Sequence, residues 1–258
     1  MIEGFEDRRG TTYEKTDLSG SLFRLVLFDG STIRDCDLNG VTMRGVGIKD
    51  TSIDGEIERL LVNGIDVAPY VEAELDRRDP DRPKYRATTA DGFREAWDVN
   101  ERRWAATVER ARRLSPDQLH ESVQGEWSFV QTLRHLAFAS ESWVGRAILG
   151  DPHPWRPMSL AWDTFRDLGI EQHRDARPSL DEALALRLDA MGLVRRVVDE
   201  LTDEALDRET EPCVGPGWPV EGATFTVRSC LQTVLNEELE HRRYAERDLA
   251  VLESSAGA

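Results

Sequence analysis

Cysteine and long apolar runs are scarce in this sequence of 258 residues. Its three cysteines, Cys36, Cys213 and Cys230, match the spacing of neither a disulfide framework nor a CxxC metal site, so free thiols in a reducing cytoplasm are expected. No apolar run approaches the roughly 18 residues of a membrane span. The acidic N-terminus also lacks the apolar core of a signal peptide. We therefore expect a cytoplasmic protein without a membrane segment.

Positive charge is also in deficit. The chain has 49 acidic residues against 33 lysines and arginines, which leaves a net charge of −16. Such a surface argues against binding to nucleic acid, because it repels phosphate. One exception stays open, since an acidic protein can imitate nucleic acid toward a DNA-binding partner. The rest of the composition, 40% apolar and 32% charged, is typical of a globular protein.

Large apolar residues recur every five positions between residues 18 and 53, and each follows a small or β-branched residue by two positions. These eight residues are Leu18, Phe23, Phe28, Ile33, Leu38, Met43, Ile48 and Ile53. A helix or a flat strand does not have this period, whereas a square solenoid does, because each unit forms one side and turns one corner. The pattern predicts that the large side chains point to the axis of a short coil.

This segment resembles the pentapeptide-repeat family, whose preferred pairs are similar to Asp17-Leu18, Asp37-Leu38 and Asn39-Gly40. The resemblance implies a short right-handed quadrilateral β-helix. We assign it to a first domain of residues 1–75. Its expected role is a structural cap on the domain that follows. The alternative is DNA mimicry toward a topoisomerase, which is known for long members of the family.

The sequence between the repeats and the next domain predicts only local elements. Residues 60–67 predict two short strands with a turn at Asn63-Gly64. A short helix is expected at residues 69–75. Residues 77–84 are charged and carry two prolines, which is typical of a linker.

From residue 89 onward, apolar residues recur at spacings of three and four, as in amphipathic helices. Capping boxes at residues 115–118, 128–131 and 179–182 mark helix starts. The pattern predicts four long helices, beginning near residues 89, 128, 179 and 226, with long connections at 151–177 and 211–225. We therefore predict a mixed fold, in which the β-helix is followed by an all-α four-helix bundle over residues 89–253.

Three polar residues fall on faces of these helices that should point inward. Glu237 and His241 are four residues apart on the last helix, so they lie on one face. His135 lies in the apolar pattern of the second helix. Each residue alone has a common explanation, a hydrogen-bonded core histidine or a solvated ion pair. A buried glutamate, however, needs a metal ion, an arginine or its own protonation. Together the three residues predict a metal site with open coordination positions.

The sequence around these residues resembles the DinB superfamily of metal-binding four-helix bundles. Residues 127–136, WSFVQTLRHL, are similar to its second-helix motif, and residues 237–249 are similar to its last-helix motif. Glu237 stands where many members have histidine, which resembles the mycothiol-dependent maleylpyruvate isomerase branch. The resemblance implies that His135, Glu237 and His241 are the metal ligands. No counterpart of that isomerase's additional C-terminal domain is recognised, which argues against the isomerase activity itself.

The resemblance implies a divalent metal that activates a low-molecular-weight thiol for attack on a small electrophile. Zinc is the expected metal, because it suits a set of two histidines and one glutamate best. Nickel, iron and manganese stay open as the metal, and metal-activated water would give hydrolysis instead. Only three basic residues are lysines, which indicates a GC-rich coding genome of the actinobacterial kind. For such a source, mycothiol is the natural thiol co-substrate. We therefore expect a metal-dependent thiol S-transferase with two small-molecule partners, and we leave open whether it forms a homodimer.

Three further residues are candidates for substrate binding. Arg134 and Arg242 flank proposed ligands, and Tyr244 follows His241 by three residues. Structural arginines and a packed tyrosine are the alternatives. Cys230 is expected to be a small buried residue and not a fourth ligand.

Two other functions stay open for the whole protein. One is a non-enzymatic stress or interaction protein with a structural metal. The other is a sulfur-pathway role like that of the DinB-type domain of ergothioneine synthases.

Overall fold

The computed structural model describes residues 6–162 and 168–255. It divides the chain into two compact units, of which one ends at Glu56 and the other begins at Ile57. No helix among the described residues is both long and apolar enough to cross a membrane.

The backbone of the first unit turns at every fifth residue. The residues at these corners all have a positive φ: Gly10, Lys15, Gly20, Leu25, Gly30, Asp35, Gly40, Gly45, Asp50 and Gly55. Backbone hydrogen bonds close some of the turns, such as the 3.1 Å bond that the N–H of Ser21 donates to the carbonyl of Leu18. Glycine adopts a positive φ freely, and it occupies six of these ten positions. The five-residue period of the sequence therefore corresponds to one backbone turn in every five residues.

The β-helix expected in this unit is not confirmed. No strand or isolated bridge lies within residues 6–56. Phe23 and Phe28 contact each other, with ring centroids 5.7 Å apart. Even so, the eight large apolar side chains are all exposed, from 42% at Leu18 to 65% at Ile48. A β-helix covers its inward side chains by pairing successive coils. Without such pairing, the large residues stay in contact with solvent.

The second unit is built on four long helices: α2 (Ala90–Ala111), α4 (Phe129–Ser140), α5 (Leu180–Asp199) and α7 (Val227–Ser255). A π-helix (Glu141–Ile148) continues α4. Helices α2 and α4 each pack against both α5 and α7, so the four enclose one core. Two short helices, α3 (Pro116–Leu119) and α6 (Asp203–Leu206), lie in the connections. The prediction of a mainly helical domain after the repeats is confirmed.

The predicted capping boxes all form. Ser115, Ser128 and Ser179 each accept a hydrogen bond from the backbone N–H three residues later, and the side chain of that later residue accepts one from the serine backbone. These reciprocal bonds satisfy backbone donors that a helix start otherwise leaves unpaired. Each serine cap contributes about 1 kcal/mol to stability. Local sequence therefore fixes where α3, α4 and α5 begin.

The short elements before the bundle follow local signals as well. Strands β1 (Leu61–Val62) and β2 (Ile65–Asp66) pair antiparallel around Asn63-Gly64, as predicted. Both turn residues have a positive φ, 50° and 85°, which the tight hairpin turn requires. Helix α1 (Ala68–Arg78) starts with a proline in its first turn and extends beyond the predicted residues 69–75.

Residues 77–84, which resemble a linker in composition, pack against the bundle instead. Arg82 lies in a 3-10 helix (Arg82–Tyr85) and pairs with Glu72 and Asp76 of α1, at 2.7 Å and 2.9 Å. Asp79 pairs with Arg103 of α2 at 2.5 Å. Tyr85, at the end of this segment, is only 1% exposed. The linker prediction is therefore wrong, because the charges serve ion pairs that attach α1 to the bundle. The division between the two compact units lies at residue 56.

Two buried arginines fix the long connections, which we call the first connection (residues 149–179) and the second connection (residues 207–226). Arg134 of α4 donates hydrogen bonds to four carbonyls of the first connection, those of Met158, His173, Arg174 and Ala176. Arg146 of the π-helix donates to the carbonyls of Pro152, Val214, Gly215 and Pro219, and so joins both connections. A charge-assisted hydrogen bond is stronger than a neutral one, so each arginine holds several loop segments at once.

We expect the replacement of Arg134 by methionine to lower the free energy of unfolding by about 2–3 kcal/mol, because four carbonyls lose a charged donor. Chemical denaturation of the metal-free protein measures this change. Arg112→Met is the control, because Arg112 pairs with Asp181 at a half-exposed position where the expected loss is below about 1 kcal/mol. Equal stability of the two variants would contradict the role assigned to Arg134.

Candidate metal centre

His135 of α4 and two residues of α7, Glu237 and His241, converge at one point of the bundle. Glu237 Oε2 lies 3.3 Å from His135 Nε2 and 3.1 Å from His241 Nε2. One ligand atom from each residue lies within 4.8 Å of the other two. A metal bonded tetrahedrally at about 2.0–2.1 Å keeps neighbouring ligand atoms about 3.3 Å apart. The cluster can therefore bind a metal ion.

The orientation of His135 is set by the first connection. Its Nδ1 lies 2.9 Å from the carbonyl oxygen of Leu160. A carbonyl only accepts hydrogen bonds, so Nδ1 carries the proton and the Nε2 lone pair of a neutral ring faces Glu237. A carbonyl partner on the second ring nitrogen is the usual arrangement for a histidine that binds a metal.

This arrangement needs a cation. The bare Nε2 of a neutral His135 and the Oε2 of an ionised Glu237 are both acceptors, and at 3.3 Å they repel each other unless a positive charge lies between them. Protonation of His135 is disfavoured, because the side chain is fully buried and burial lowers its pKa. A metal ion supplies the missing charge without protonating the ring. The donor set therefore fits a bound metal.

Glu237 provides the negative charge of the site. Burial raises the pKa of its carboxyl, but positive charge at the adjacent nitrogens of His135 and His241, where a metal would bind, lowers it, and the net direction is downward. The side chain is 19% exposed and that of His241 is 18% exposed, whereas His135 has no exposed surface. The site thus reaches solvent from the α7 side.

Aromatic rings lie against two of the three candidate ligands, His135 and His241. The Trp127 ring lies 4.3 Å from His135 and 5.6 Å from His241 between centroids, and it stacks on His241 at an interplanar angle of 19°. Trp162 contacts His135 at 4.9 Å. From Trp162 the ring contacts continue to Phe138 at 5.6 Å and to Trp218 at 6.2 Å. We call Trp127, Phe138, Trp155, Trp162 and Trp218 the aromatic wall.

Both connections contribute to this wall. Trp155 and Trp162 come from the first connection and Trp218 from the second. Trp155 stacks on Phe138 at 6.3 Å and packs onto the backbone of Gly217. A Cβ at Gly217, where φ is 134°, would lie 2.1 Å from the Trp155 ring, so only glycine allows this contact. The contact brings the two connections together beside the cluster.

Two of the residues expected to bind substrate have other partners. Arg134 is fully buried and donates to the carbonyls of the first connection. Arg242 Nε donates to Thr107 of α2 at 3.1 Å, and its Nη2 lies 3.6 Å from Glu246. Both guanidinium groups therefore already satisfy acceptors of the protein, and a role for either arginine in substrate binding stays a prediction. Tyr244 does lie beside a candidate ligand, since its ring is 6.2 Å from that of His241.

Sequence reasoning missed the aromatic wall and the Leu160 carbonyl. The sequence does contain an indication of the wall, because Trp155 and Trp162 both lie in a long connection that is rich in proline. No sequence pattern indicates the Leu160 contact, because every residue has a backbone carbonyl.

Neither cysteine of the second unit, Cys213 or Cys230, belongs to the cluster. Cys213 and Cys230 are buried together against Ala147, while Cys36 of the first unit is exposed. Burial raises the pKa of Cys230 to about 12. Its thiol is therefore protonated at neutral pH and is not a ligand in this arrangement.

A thiol-specific chromogenic reagent is expected to label one cysteine of the native protein quickly at pH 8 and all three only after denaturation. Cys36 reacts first because it alone is exposed, and the reactive form of a thiol is the thiolate. The Cys36→Ser variant should lose the fast phase. Rapid labelling of two or more thiols in the folded protein would contradict the burial of Cys213 and Cys230.

A search of curated proteins finds none that matches this chain. A family model described as the DinB superfamily matches residues 100–245, which is more than half of the chain and includes His135, Glu237 and His241. The match covers α4 and most of α7, the two helices that bring the ligands together. The protein belongs to the DinB superfamily.

Proposed function

We propose that this protein is a metal-dependent thiol S-transferase that joins a low-molecular-weight thiol, mycothiol, to a small electrophile. The observation that carries the proposal is the convergence of His135, Glu237 and His241, which supply three protein ligands within the described residues. Three ligands leave at least one coordination position for an exogenous group, as in catalytic zinc sites.

The expected metal is zinc, which suits this donor set. When bound, it would supply the positive charge that lowers the pKa of a thiol and stabilises the nucleophilic thiolate. His135 and His241 would each offer one ring nitrogen to the metal, and Leu160 fixes the tautomer of His135. Glu237 adds one negative charge, which offsets part of the charge of the metal. Tyr244 lies beside His241 and is the candidate for orienting the bound thiol.

The transfer exchanges one bond for another. The thiol loses its proton to solvent, and its sulfur forms a bond to an electrophilic carbon. The leaving group departs with the electron pair of the bond that breaks. The two connections support this step, because their tryptophans cover one side of the cluster and limit competition from water.

Calorimetric titration with mycothiol tests the proposal. Zinc-loaded protein should bind the thiol, and chelated protein should not. Turnover with 1-chloro-2,4-dinitrobenzene should follow the same dependence. The Glu237→Gln variant should keep the fold but lose turnover, because the neutral amide changes the charge balance at the metal. If zinc only raises the melting temperature and the loaded protein binds no thiol, the metal is structural and the non-enzymatic alternative is correct.

A further inference from the structure

We infer that Glu141 and Ser159 are positioning residues of the metal centre, because their hydrogen bond holds the Leu160 carbonyl against His135. Glu141 begins the π-helix, and Ser159 lies in the first connection. Neither residue is itself a candidate ligand. The inference rests on the metal centre and not on the thiol chemistry, so it goes beyond the proposed function.

Glu141 is a buried carboxylate that faces the first connection. It is 2% exposed, and its Oε2 accepts a hydrogen bond of 2.5 Å from Ser159 Oγ. Its Oε1 accepts one of 2.8 Å from Arg156 Nε. Ser159 is 0% exposed, so its hydroxyl needs a partner within the protein, and a hydrogen bond to a carboxylate is stronger than a neutral one. The Glu141 carboxylate therefore fixes the first connection at Ser159.

Ser159 directly precedes the residue that orients a metal ligand. The carbonyl oxygen of Leu160 lies 2.9 Å from His135 Nδ1. Helix α4 holds the same segment at two further points. Arg134 Nε donates to the Met158 carbonyl at 2.7 Å, and the Leu160 N–H donates to the Arg134 carbonyl at 3.2 Å. Three consecutive residues are thus each bound to the helix that carries His135 or to the π-helix that continues it.

This attachment matters for metal binding because a histidine binds a metal through one ring nitrogen only. The hydrogen bond of the other nitrogen fixes the tautomer and the angle of the ring. If the Leu160 carbonyl moves, His135 loses the acceptor for its Nδ1–H, and its Nε2 is no longer held toward the metal position. The place of Glu141 agrees with such a role, since π-helical segments are frequent at functional sites.

A second hydrogen bond between the π-helix and the first connection provides a comparison. Trp155 Nε1 donates to Ser142 Oγ at 2.9 Å, and Ser142 is also 0% exposed. Trp155 lies five positions before Leu160, and its ring stacks on Phe138. Removal of either serine hydroxyl therefore breaks one buried hydrogen bond to the same connection, but only Ser159 is adjacent to the carbonyl that orients His135.

Competition with a chromophoric chelator measures the zinc affinity of the two serine variants. Ser159→Ala should weaken zinc binding about tenfold, the low end of the loss for a residue that supports a metal ligand. Ser142→Ala is the matched control and should leave zinc affinity unchanged. Equal losses in the two variants would show that these bonds only hold the connection in place, and would overturn the inference.

A double-mutant cycle tests whether Glu141 acts through Ser159. Glu141→Met should weaken zinc binding as much as Ser159→Ala, and the double variant no more than either, because all three lack the same hydrogen bond. Arg156 keeps two other partners in Glu141→Met, the Leu186 carbonyl and Asp189, each at 2.9 Å. Additive losses in the double variant would contradict a shared route to the metal.

NMR of the zinc-saturated protein separates positioning from a general loss of stability. The wild-type Nδ1–H of His135 should give a signal that exchanges slowly with water, because it is buried and bonded to Leu160. The signal should shift and exchange faster in Ser159→Ala, and it should keep its position in Ser142→Ala.

Either an unchanged zinc affinity or an unshifted His135 signal in folded Ser159→Ala would overturn the inference. Wild-type protein that binds no zinc would refute the metal centre and the inference together. A protein that binds zinc but no thiol would refute the proposed transfer alone, and the positioning role would then be decided by the comparison of Ser159→Ala with Ser142→Ala.

Discussion

Replacing His241 by alanine is expected to weaken zinc binding by at least about a hundredfold while the bundle stays folded. Loss of a residue that merely supports a metal ligand already costs about 10–100-fold in affinity, and His241 is itself one of the three candidate ligands within the described residues. The cavity left behind should be tolerated, because the side chain is partly exposed. Competition with a chromophoric chelator measures the dissociation constant.

His173→Ala is the control for this experiment. His173 is an exposed histidine that pairs with Glu171 on the surface of the first connection. Its removal should leave zinc affinity unchanged. If His241→Ala and His173→Ala bind zinc as tightly as the wild-type protein, His241 is not a ligand and the site is wrong.

Replacing Arg187 by methionine is expected to lower the free energy of unfolding by about 3–5 kcal/mol, because it leaves the charge of Glu238 buried without a partner. Arg187 is 2% exposed and Glu238 is 0% exposed, and Arg187 Nη2 donates directly to Glu238 Oε1. Urea denaturation of the chelated protein measures the loss separately from any effect of metal.

The double variant Arg187→Met with Glu238→Leu separates the charge from the packing. It should recover most of the lost stability, because an apolar pair of similar volume carries no uncompensated charge. Within the described part of the chain, Nε and Nη1 of Arg187 and Oε2 of Glu238 have no hydrogen-bond partner, so the native pair is itself incompletely satisfied. A double variant as unstable as the single variant would show that packing, and not the buried charge, accounts for the loss.

Glu237 and Glu238 show how far the sequence could predict the site. Adjacent residues on a helix point about 100° apart, so the two carboxylates face different neighbours. The sequence predicts that a buried Glu237 needs a metal ion, an arginine or its own protonation, and it offers two histidines that could bind a metal together with it. The structure brings those three residues together. For Glu238 the partner is Arg187, which lies on another helix of the bundle, and no local pattern identifies such a pair.

The elements that were predicted depend on local chemistry. Serine caps define where helices start, and Asn63-Gly64 defines a hairpin turn. Each signal lies within a few residues of the element it controls. The carbonyl contacts of Arg134 and Arg146 depend on residues up to about seventy positions away. Sequence spacing carries no information about such contacts.

Composition was misleading in the segment before the bundle. Two prolines and several charges predict a linker at residues 77–84, yet those charges pair with α1 and α2.

In the first unit, the sequence period predicts the turns but not the burial of the apolar side chains. A strict five-residue period gave corners at the expected spacing, but the burial of its apolar residues also requires contacts between coils, which a period alone does not supply.

Anomalous diffraction at the zinc edge, from crystals of zinc-loaded protein, tests the metal centre most directly. We predict one strong peak within about 2.0–2.2 Å of His135 Nε2, Glu237 Oε2 and His241 Nε2. The hydrogen bond from His135 Nδ1 to Leu160 should be retained. A peak at other residues, or three side chains that keep direct contact with one another in crystals soaked with excess zinc, would contradict the account.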